Sequence, residues 1–498
     1  VNTNNPTGGI SGYNNSYDYI YMGSYNGSPI KWRVLDTKTN MENATEGDGL
    51  FLLSDVLLGT GISGDVYFDN SGNIRNAWQS STAKTWCNNF YVSSFSNGEQ
   101  GAVLATTKSD EAFTKGTGGI SFSASENILN GDKVFFLSAE EAENSAYGFT
   151  DDNARIANYG NSAGVWWLRS PYDFPDYAGY AGVVFGDGPV YPYVVSGVWA
   201  ARPAFNLNLN SVLFTSAAVG GKPDGGLTPI SEYTGNEWKM TLKDSNRNFA
   251  VTETTVSGDP GDTVTLHYTG ATAGINEYIS VILADNSGAQ YYGRVAQPTA
   301  ENGTVEIKIP SDIAPGDYTL KVFNEQYSGD YNTDYASNFT DIALTVENQP
   351  DEQFTLAPGG RYYFDLSSMN IPGTANSTLD GGTQTDGTLH YVPFTYVGTV
   401  DAYSLDSAAD TDTTSYEHSL FIANYNVTHF VSWDALDKQG LIFGKTYSSG
   451  SIDYTMRAPS AGTAYNGHYG ESGIPANNEW DTILKKSGQD SEDNTTGY

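Results

Sequence analysis

Short runs of alternating apolar and polar residues, separated by tight turns, constrain this chain most strongly, because they fit strands and not long helices. The most regular series lies between residues 239 and 348, where turns such as Pro260-Gly261-Asp262 and Pro315-Gly316-Asp317 separate the runs. A segment of about 110 residues with this pattern is typical of a β-sandwich. The strands predicted in it are Thr263–Tyr268, Tyr278–Leu283, Thr304–Ile309, Asp317–Phe323 and Ile342–Val346.

The chain is too long to fold around a single core. With 498 residues it is expected to form about two to four domains. We predict a first block over 14–215, a Gly/Pro-rich linker over 216–238, an immunoglobulin-like sandwich over 239–348 and a last block over 353–498. The predicted fold class is therefore multidomain and β-rich.

The first block mixes strand and helix signals. Alternating residues on both sides of Asn26-Gly27-Ser28 predict a hairpin. One helix is expected over Ser81–Tyr91, with Ser80 or Ser81 as its cap, and a shorter one after the cap Ser138. The predicted strands are Tyr19–Tyr25, Pro29–Leu35, Phe51–Ser54 and Lys133–Ser138.

Several motifs of the first block occur together in a recognisable order. They are Ile20–Tyr25, Pro29–Leu35, Leu52–Ser54, the Trp86 helix, Val134–Ser138 with Glu141-Ala142, Trp166–Pro171 and Ala201–Phe205. On these motifs the block resembles uncharacterised bacterial surface domains of the C-type-lectin-like, or formylglycine-generating-enzyme-like, α+β fold. Its ending also looks like the ligand-facing end of the variable proteins of diversity-generating retroelements. The resemblance implies that this part of the fold presents binding residues.

The last block resembles a second α+β lectin-like domain. Such domains continue past an Asn-Glu-Trp-Asp element into a Trp/Gly-rich ending that closes with Arg-Pro, whereas this sequence stops at Tyr498. Three interpretations stay open: the domain is truncated, another chain supplies the remainder, or the assignment is wrong. The motifs that carry the resemblance are Phe364–Leu366, Ile371–Thr374, Leu389–Tyr396, Phe421–His429, Val431–Trp433, Tyr454–Ser460 and Asn478–Ile483.

The net charge argues against several classes of partner. The chain has 58 acidic and 24 basic residues, a formal charge of −34. A field of that sign repels phosphate backbones and anionic headgroups, so we expect no nucleic-acid partner. No apolar run approaches the length of a membrane span, so no membrane insertion and no intact signal peptide are expected. An acidic surface also keeps extracellular proteins dispersed.

The chain carries little that could serve as a catalytic or redox centre. Cys87 is the single cysteine, so no intrachain disulfide can form and formylglycine chemistry is rejected. A large, Tyr/Asn/Thr-rich, cysteine-poor acidic chain fits the exported surface proteins of Gram-positive anaerobes. The five histidines show no HExxH spacing, and no GxSxG elbow is present, although a Ser-His-Asp site set by geometry stays open. We predict no catalytic residue and no enzyme activity.

One segment bears on metal binding. Asp65, Asp69 and Asn70 bring oxygen atoms to a Gly turn, which resembles a Ca²⁺ loop without its register or distal Glu. An Asn/Gly turn is the favoured interpretation. We therefore predict no cofactor, with these three residues as the first Ca²⁺ candidates and Asp330, Asp334 and the Asp406–Asp412 run as further ones.

The stretch from Val165 to Asn208 is the predicted binding region. Its ends, which include Trp166, Trp167, Leu168 and Phe205, are expected to be core, with Arg169 and Arg202 structural. The middle places aromatic rings among Gly, Pro and Asp, where loops present stiff contact area. The predicted ligand-binding residues are Tyr172, Phe174, Asp176, Tyr177, Tyr180, Asp187, Tyr191, Tyr193 and Trp199.

These observations predict a non-catalytic bacterial surface protein, secreted or attached to the cell wall. It would recognise a glycan or a protein ligand through its aromatic loops. Two alternatives stay open. One is a structural subunit of a surface layer or filament, with copies of itself as partners. The other is a polysaccharide-processing hydrolase.

Overall fold

The structure is a computed structural model of the chain. It describes residues 9–59, 66–73, 75–115, 119–174, 179–347, 358–376, 389–400, 403–404, 413–414, 418–449, 452–459 and 479.

Strands make up most of the regular structure. In chain order they are β1 (Tyr19–Tyr25), β2 (Ser28–Asp36), β3 (Gly49–Ser54), β4 (Val66–Tyr67), β5 (Thr106–Lys108), β6 (Phe113–Thr114), β7 (Ser121–Phe122), β8 (Leu129–Asp132), β9 (Phe135–Phe136), β10 (Asn158–Tyr159), β11 (Ser162–Ala163), β12 (Trp166–Pro171), β13 (Tyr180–Val184), β14 (Val190–Val194), β15 (Val198–Trp199), β16 (Pro203–Asn208), β17 (Val212–Ala217), β18 (Thr228–Pro229), β19 (Glu237–Lys243), β20 (Ala250–Val251), β21 (Thr255–Gly258), β22 (Thr263–Thr269), β23 (Glu277–Asp285), β24 (Gly288–Ala296), β25 (Gly303–Lys308), β26 (Gly316–Gln326), β27 (Asp334–Ala336), β28 (Thr340–Val346), β29 (Arg361–Phe364), β30 (Thr374–Ala375), β31 (Val392–Val400), β32 (Tyr403–Ser404), β33 (Thr413–Thr414), β34 (His418–Ala423), β35 (Thr428–His429), β36 (Lys445–Ser449) and β37 (Ile452–Met456).

The α-helices are short. They are α1 (Thr82–Ser94), α2 (Asn97–Ala102), α3 (Ala139–Ala142), α4 (Asp152–Arg155) and α5 (Trp433–Lys438). The predicted caps are confirmed: the Ser81 side chain accepts from the Lys84 N–H, and Ser138 forms a capping box with Glu141. Within the described residues, no helix is long and apolar enough to span a membrane. The β-rich, multidomain fold class is confirmed.

The chain divides into two compact units. The first consists of Val1–Val256, Thr263–Lys308 and Asp317–Thr345, and the second of Ser257–Asp262, Ile309–Gly316 and Val346–Tyr498. The strands of residues 14–215 and 239–348 share one sheet within the first unit. Along it the order is β18-β24-β23-β26-β27-β19-β1-β2-β3-β16-β9.

Strand β19 joins the two predicted blocks of the first unit. It pairs in parallel with β1 and with β27, and antiparallel with β17. The segment expected to be a linker at 216–238 therefore contains the start of a central strand, and strand β18 within it pairs with β24. Lys222, also within it, is buried. The structure thus differs from the predicted linker because distant strands cover this segment.

The core of the first unit packs around Trp32. Its ring lies 4.7 Å from that of Phe205 and 5.9 Å from that of Phe95, measured between centroids, and its Nε1 donates to the Met22 carbonyl at 2.7 Å. The predicted core residues Trp166, Trp167, Leu168 and Phe205 are confirmed as fully buried. Trp238, Met240 and Leu242 of β19 belong to the same core. Residues from both sides of the predicted boundary therefore fill one interior.

The sandwich-like part has the strands that alternation predicts. Strand β22 alternates buried and exposed residues along its whole length and pairs with β25 and β20. Strand β23 pairs with β24 and β26. Phe214, Tyr292 and Phe323 pack in a separate cluster. This arrangement confirms the predicted strands, while the immunoglobulin-like topology stays a prediction.

The second unit has its own apolar cluster. Strands β29, β31 and β34 form a three-stranded sheet. The Phe364 ring lies within 5.4 Å of the rings of Phe394, Phe421 and Tyr454, measured between centroids. Helix α5 follows these strands and has Ser432 as its cap.

Candidate ligand-binding surface

Arg169 fixes strand β12, which begins the predicted binding region. Its guanidinium is fully buried, with Nη1 2.6 Å from Glu141 Oε2 and Nη2 2.9 Å from Glu111 Oε2. Nη1 also donates to the Phe136 carbonyl at 2.9 Å. Burial alone would raise the pKa of Glu141, but the charges of Arg169 and Lys108 outweigh it and hold that pKa well below its usual range. The predicted structural role of Arg169 is confirmed.

Arg202 is the second structural arginine. It is fully buried, its Nε donates to the Ser54 carbonyl at 3.0 Å, and its guanidinium lies 4.8 Å from the Trp166 ring centroid. Burial, together with the charge of Arg33, lowers its pKa to about 9. Both arginines therefore hold the strands from within the protein interior and are not ligand contacts.

Strands β12, β13 and β14 form the sheet that carries the predicted binding residues. The register pairs Ala181 with Tyr193 and Val183 with Tyr191. Because side chains alternate along a strand, Tyr191 and Tyr193 lie on one face of this sheet. Tyr180 pairs with Val194 and therefore lies on the other face.

The turn between β13 and β14 is held rigidly. Its ends close through the Phe185 N–H to the Pro189 carbonyl at 3.0 Å and the Gly188 N–H to the Phe185 carbonyl at 2.8 Å. Gly188 has φ +102°, and a Cβ there would lie 1.8 Å from the Asp152 carbonyl oxygen, so only glycine fits. Arg155 Nε donates to the Gly188 carbonyl at 2.9 Å. The residues that flank the turn are therefore preorganised.

Four predicted or neighbouring rings pack in a continuous chain on one face. The Phe185 centroid lies 5.8 Å from that of Tyr191 and 6.3 Å from that of Tyr193, which lies 5.1 Å from that of Trp199. Tyr191 is 49% exposed, whereas Phe185, Tyr193 and Trp199 are half-buried. We call Phe185, Tyr191, Tyr193 and Trp199 the aromatic surface. Within it, Phe185 packs directly against the exposed Tyr191 ring.

One polar residue borders the aromatic surface. Asp187 lies exposed in the turn that follows Phe185. Phe185 is absent from the predicted ligand-binding residues, although it belongs to the same aromatic stretch and lies two residues before Asp187. Tyr67 is 36% exposed, but it pairs with Val198 of β15 and therefore lies on the opposite face of that strand pair from Trp199.

The remaining predicted residues lie elsewhere. Tyr172 and Phe174 stack at 6.0 Å and 11°, backed by Phe122, and Phe174 is 46% exposed. Tyr180 is half-buried. Asp176 and Tyr177 lie outside the described residues. The structure thus gathers Tyr191, Tyr193 and Trp199 into one group and places Tyr172 and Phe174 in another.

The candidate calcium loop is organised by hydrogen bonds. Asp69 is buried and accepts from the backbone N–H groups of Ser71 at 3.0 Å and Arg75 at 2.7 Å, and from the Ser71 hydroxyl at 3.1 Å. Burial raises its pKa, but these bonds outweigh it and leave the pKa below its ordinary value. Asn70 Oδ1 accepts from the Thr82 hydroxyl. The turn interpretation accounts for both residues, while Asp65 lies outside the described residues.

Replacing Asp69 with alanine tests this interpretation. The change leaves three donors without their acceptor, so the free energy of unfolding should fall by about 1–3 kcal/mol. Thermal unfolding of both proteins, with Ca²⁺ and with EDTA, measures the loss of stability and any effect of Ca²⁺ on the Tm. Ca²⁺ should leave the Tm of the unchanged protein where it is with EDTA. A Tm that rises with Ca²⁺ in the unchanged protein and not in Asp69→Ala would establish a metal site instead.

Side chains that could bind a metal are scattered. In the part of the chain that the structure describes, no three His, Cys, Asp or Glu side chains come together as a metal site. Cys87 is fully buried, and burial raises the pKa of its thiol, which keeps it protonated. Cys87 is therefore a small packed side chain of the core.

Comparison with known proteins identifies one domain. Residues 47–209 match a family described as a domain of unknown function (DUF6273). No curated protein matches the chain. A solved structure titled "AvmM Catalyzes Macrocyclization in Alchivemycin A Biosynthesis" is 11% identical and covers 26% of this chain and 100% of its own, with a TM-score of 0.16. A likeness at that level carries no argument about fold or function.

Proposed function

We propose that this chain is a non-catalytic bacterial surface protein, exported or attached to the cell wall, that binds a carbohydrate through the aromatic surface. In this proposal residues 14–215 and 353–498 are lectin-like domains and 239–348 is an immunoglobulin-like domain. The observation that carries the proposal is the half-exposed Tyr191 ring, which packs against Phe185 at one end of a continuous row of four rings.

The chemistry of the aromatic surface suits a sugar. An exposed tyrosine ring offers an apolar face for the C–H groups of a pyranose and a hydroxyl at its rim. Asp187, in the adjoining turn, adds a carboxylate that can accept hydrogen bonds from sugar hydroxyls. Because Gly188 and Arg155 fix this turn, little conformational entropy is lost when a ligand binds.

Substitution of Tyr191 tests the site. The test uses the glycans that the unchanged protein captures on an array. Tyr191→Ala should weaken binding to each of them by about tenfold or more, as the loss of an aromatic contact at the centre of a binding site does. Asp187→Ala should weaken it as well. Phe430→Ala is the matched control, because Phe430 is a 91% exposed aromatic residue in the second unit, and it should bind like the unchanged protein.

Two outcomes would contradict the proposal. One is glycan binding that survives Tyr191→Ala combined with Asp187→Ala, which would place the site elsewhere. The other is that the chain binds no glycan but captures a purified protein ligand, and that Tyr191→Ala abolishes this capture. Size-exclusion chromatography of each variant at micromolar concentration shows whether self-association accompanies binding.

A further inference from the structure

A cluster of four charged side chains lies buried in the first unit. Lys222 Nζ lies 2.7 Å from Asp334 Oδ2 and also contacts Glu325 Oε2. Lys239 Nζ lies 2.9 Å from the same Asp334 oxygen. All four side chains are at most 2% exposed. Two positive and two negative charges therefore face each other away from water.

Lys222 is positioned between two carboxyl groups, those of Glu325 and Asp334. Its ammonium donates to Thr241 Oγ1 at 3.0 Å, to Glu325 and to Asp334, which uses all three of its donors. The Phe214 ring centroid lies 5.0 Å from Nζ. The Asp334 carboxyl carbon is one bond length beyond Oδ2. The separation between Nζ and that carbon is therefore close to the separation of reacting atoms in a near-attack arrangement.

The oxygens of Asp334 have donors suited to developing negative charge. Oδ1 accepts from the Ser328 N–H at 2.7 Å, and Oδ2 accepts from Lys239. Lys239 is itself held by the Gly329 carbonyl at 2.6 Å. A backbone N–H and a fixed ammonium aimed at one carboxyl group stabilise a tetrahedral oxyanion.

Glu325 stands where a proton carrier would be needed. Its Oε2 contacts Lys222, while its Oε1 accepts from the Ser280 hydroxyl at 2.6 Å and from the Tyr292 hydroxyl. These bonds hold the carboxylate in place beside the amine. In a buried site, a carboxylate can take a proton from an adjoining ammonium, because transfer neutralises both charges.

We propose that Lys222 and Asp334 are joined by an intramolecular amide bond that forms in the folded protein. Glu325 accepts a proton from the Lys222 ammonium, and the neutral amine attacks the Asp334 carboxyl carbon. A carbon–nitrogen bond forms and one carbon–oxygen bond breaks. One ammonium proton stays on the amide nitrogen, and the other two leave with the departing Asp334 oxygen as water, by way of Glu325. No oxidant or further reactant takes part.

The amide would remove a charged pair whose burial is costly. Desolvation of an ammonium and a carboxylate offsets much of their attraction. The condensation replaces both with a neutral group in a site that excludes the water needed for hydrolysis. It would tie together residues 112 positions apart.

Intact-mass spectrometry of the full chain tests the proposal. The measured mass should be lower than the sequence mass by one water molecule, and protease digestion should release a branched peptide that contains Lys222 and Asp334. Lys222→Arg keeps the positive charge but cannot form the amide, so its mass should equal its sequence mass. Glu325→Gln should also lack the loss, with circular dichroism reporting its fold.

Asp334→Asn provides an independent check. Attack on the asparagine amide would release ammonia, so the linked Asp334→Asn chain should have the same mass as the linked unchanged chain. A folded, unchanged chain at its full sequence mass would overturn the proposal. A branched peptide that maps to Lys239 in place of Lys222 would overturn the assignment of the nucleophile.

Discussion

Replacing Arg169 with methionine should lower the free energy of unfolding of the first unit by about 3–5 kcal/mol. The substitution removes a fully buried guanidinium and leaves Glu141, itself fully buried, without its bidentate partner. Glu141 also accepts from the Ser138 N–H in the capping box of α3, so the loss extends to that helix. Urea unfolding followed by tryptophan fluorescence measures the change.

Lys321→Met is the control for that experiment. Lys321 pairs with Asp341 at 3.1 Å on the surface, where the two side chains are 19% and 56% exposed. Loss of an exposed pair of this kind should cost no more than about 1 kcal/mol. If Arg169→Met lowers the free energy of unfolding no more than Lys321→Met does, Arg169 does not hold strand β12 in place.

Ending the chain at Ala218 should prevent the first block from folding, although the predicted boundary lies at 215. The truncation removes β19, which pairs with β1 and β17 and places Trp238, Met240 and Leu242 in the core around Trp32. Each such side chain contributes about 1.5–3 kcal/mol by burial. Their sum is a large part of the ~5–15 kcal/mol that a domain has in total.

A truncated chain that ends later in the sequence serves as the comparison. A chain ending at Glu347 keeps the first unit's strands, including the whole of β28, and should show a cooperative thermal transition and resist limited proteolysis. The chain ending at Ala218 should show neither. A protease-resistant, cooperatively unfolding product from residues 1–218 would restore the linker prediction and make β19 dispensable.

Local patterns predicted the elements well, and distant pairing accounts for what they missed. The strand predicted at Thr263–Tyr268 is observed as Thr263–Thr269, and the helix predicted at Ser81–Tyr91 as Thr82–Ser94. Alternation and capping residues are local signals, so the sequence carries them directly. The pairing of β1 with β19 places Tyr19 opposite Glu237. The sequence of neither strand identifies the strand that it pairs with. The prediction of a linker around Lys222 fails for the same reason, since the two carboxylates that pair with it are more than 100 residues away.

The sequence predicts which segment contains the candidate site, but it does not predict which of the aromatic rings lie together on one surface. Composition identified the aromatic stretch, and the motif ends Trp166–Pro171 and Ala201–Phe205 were recognised as support. The face that each ring occupies depends on the register between β13 and β14, which the rigid turn at Gly188 sets. That register separates Tyr180 from Tyr193, although both lie among similar residues.

The parallel pairing of β1 with β19 has a mechanical consequence. A pull applied before Tyr19 and after Lys243 draws the two strands past each other along their length. The backbone hydrogen bonds between Tyr19–Tyr21 and Glu237–Lys239 then share the load and must break together, not one at a time. The same pull on a hairpin such as β13–β14 would peel its bonds singly from the open end. The pairing of β1 with β19 therefore resists tension between these two points of the chain.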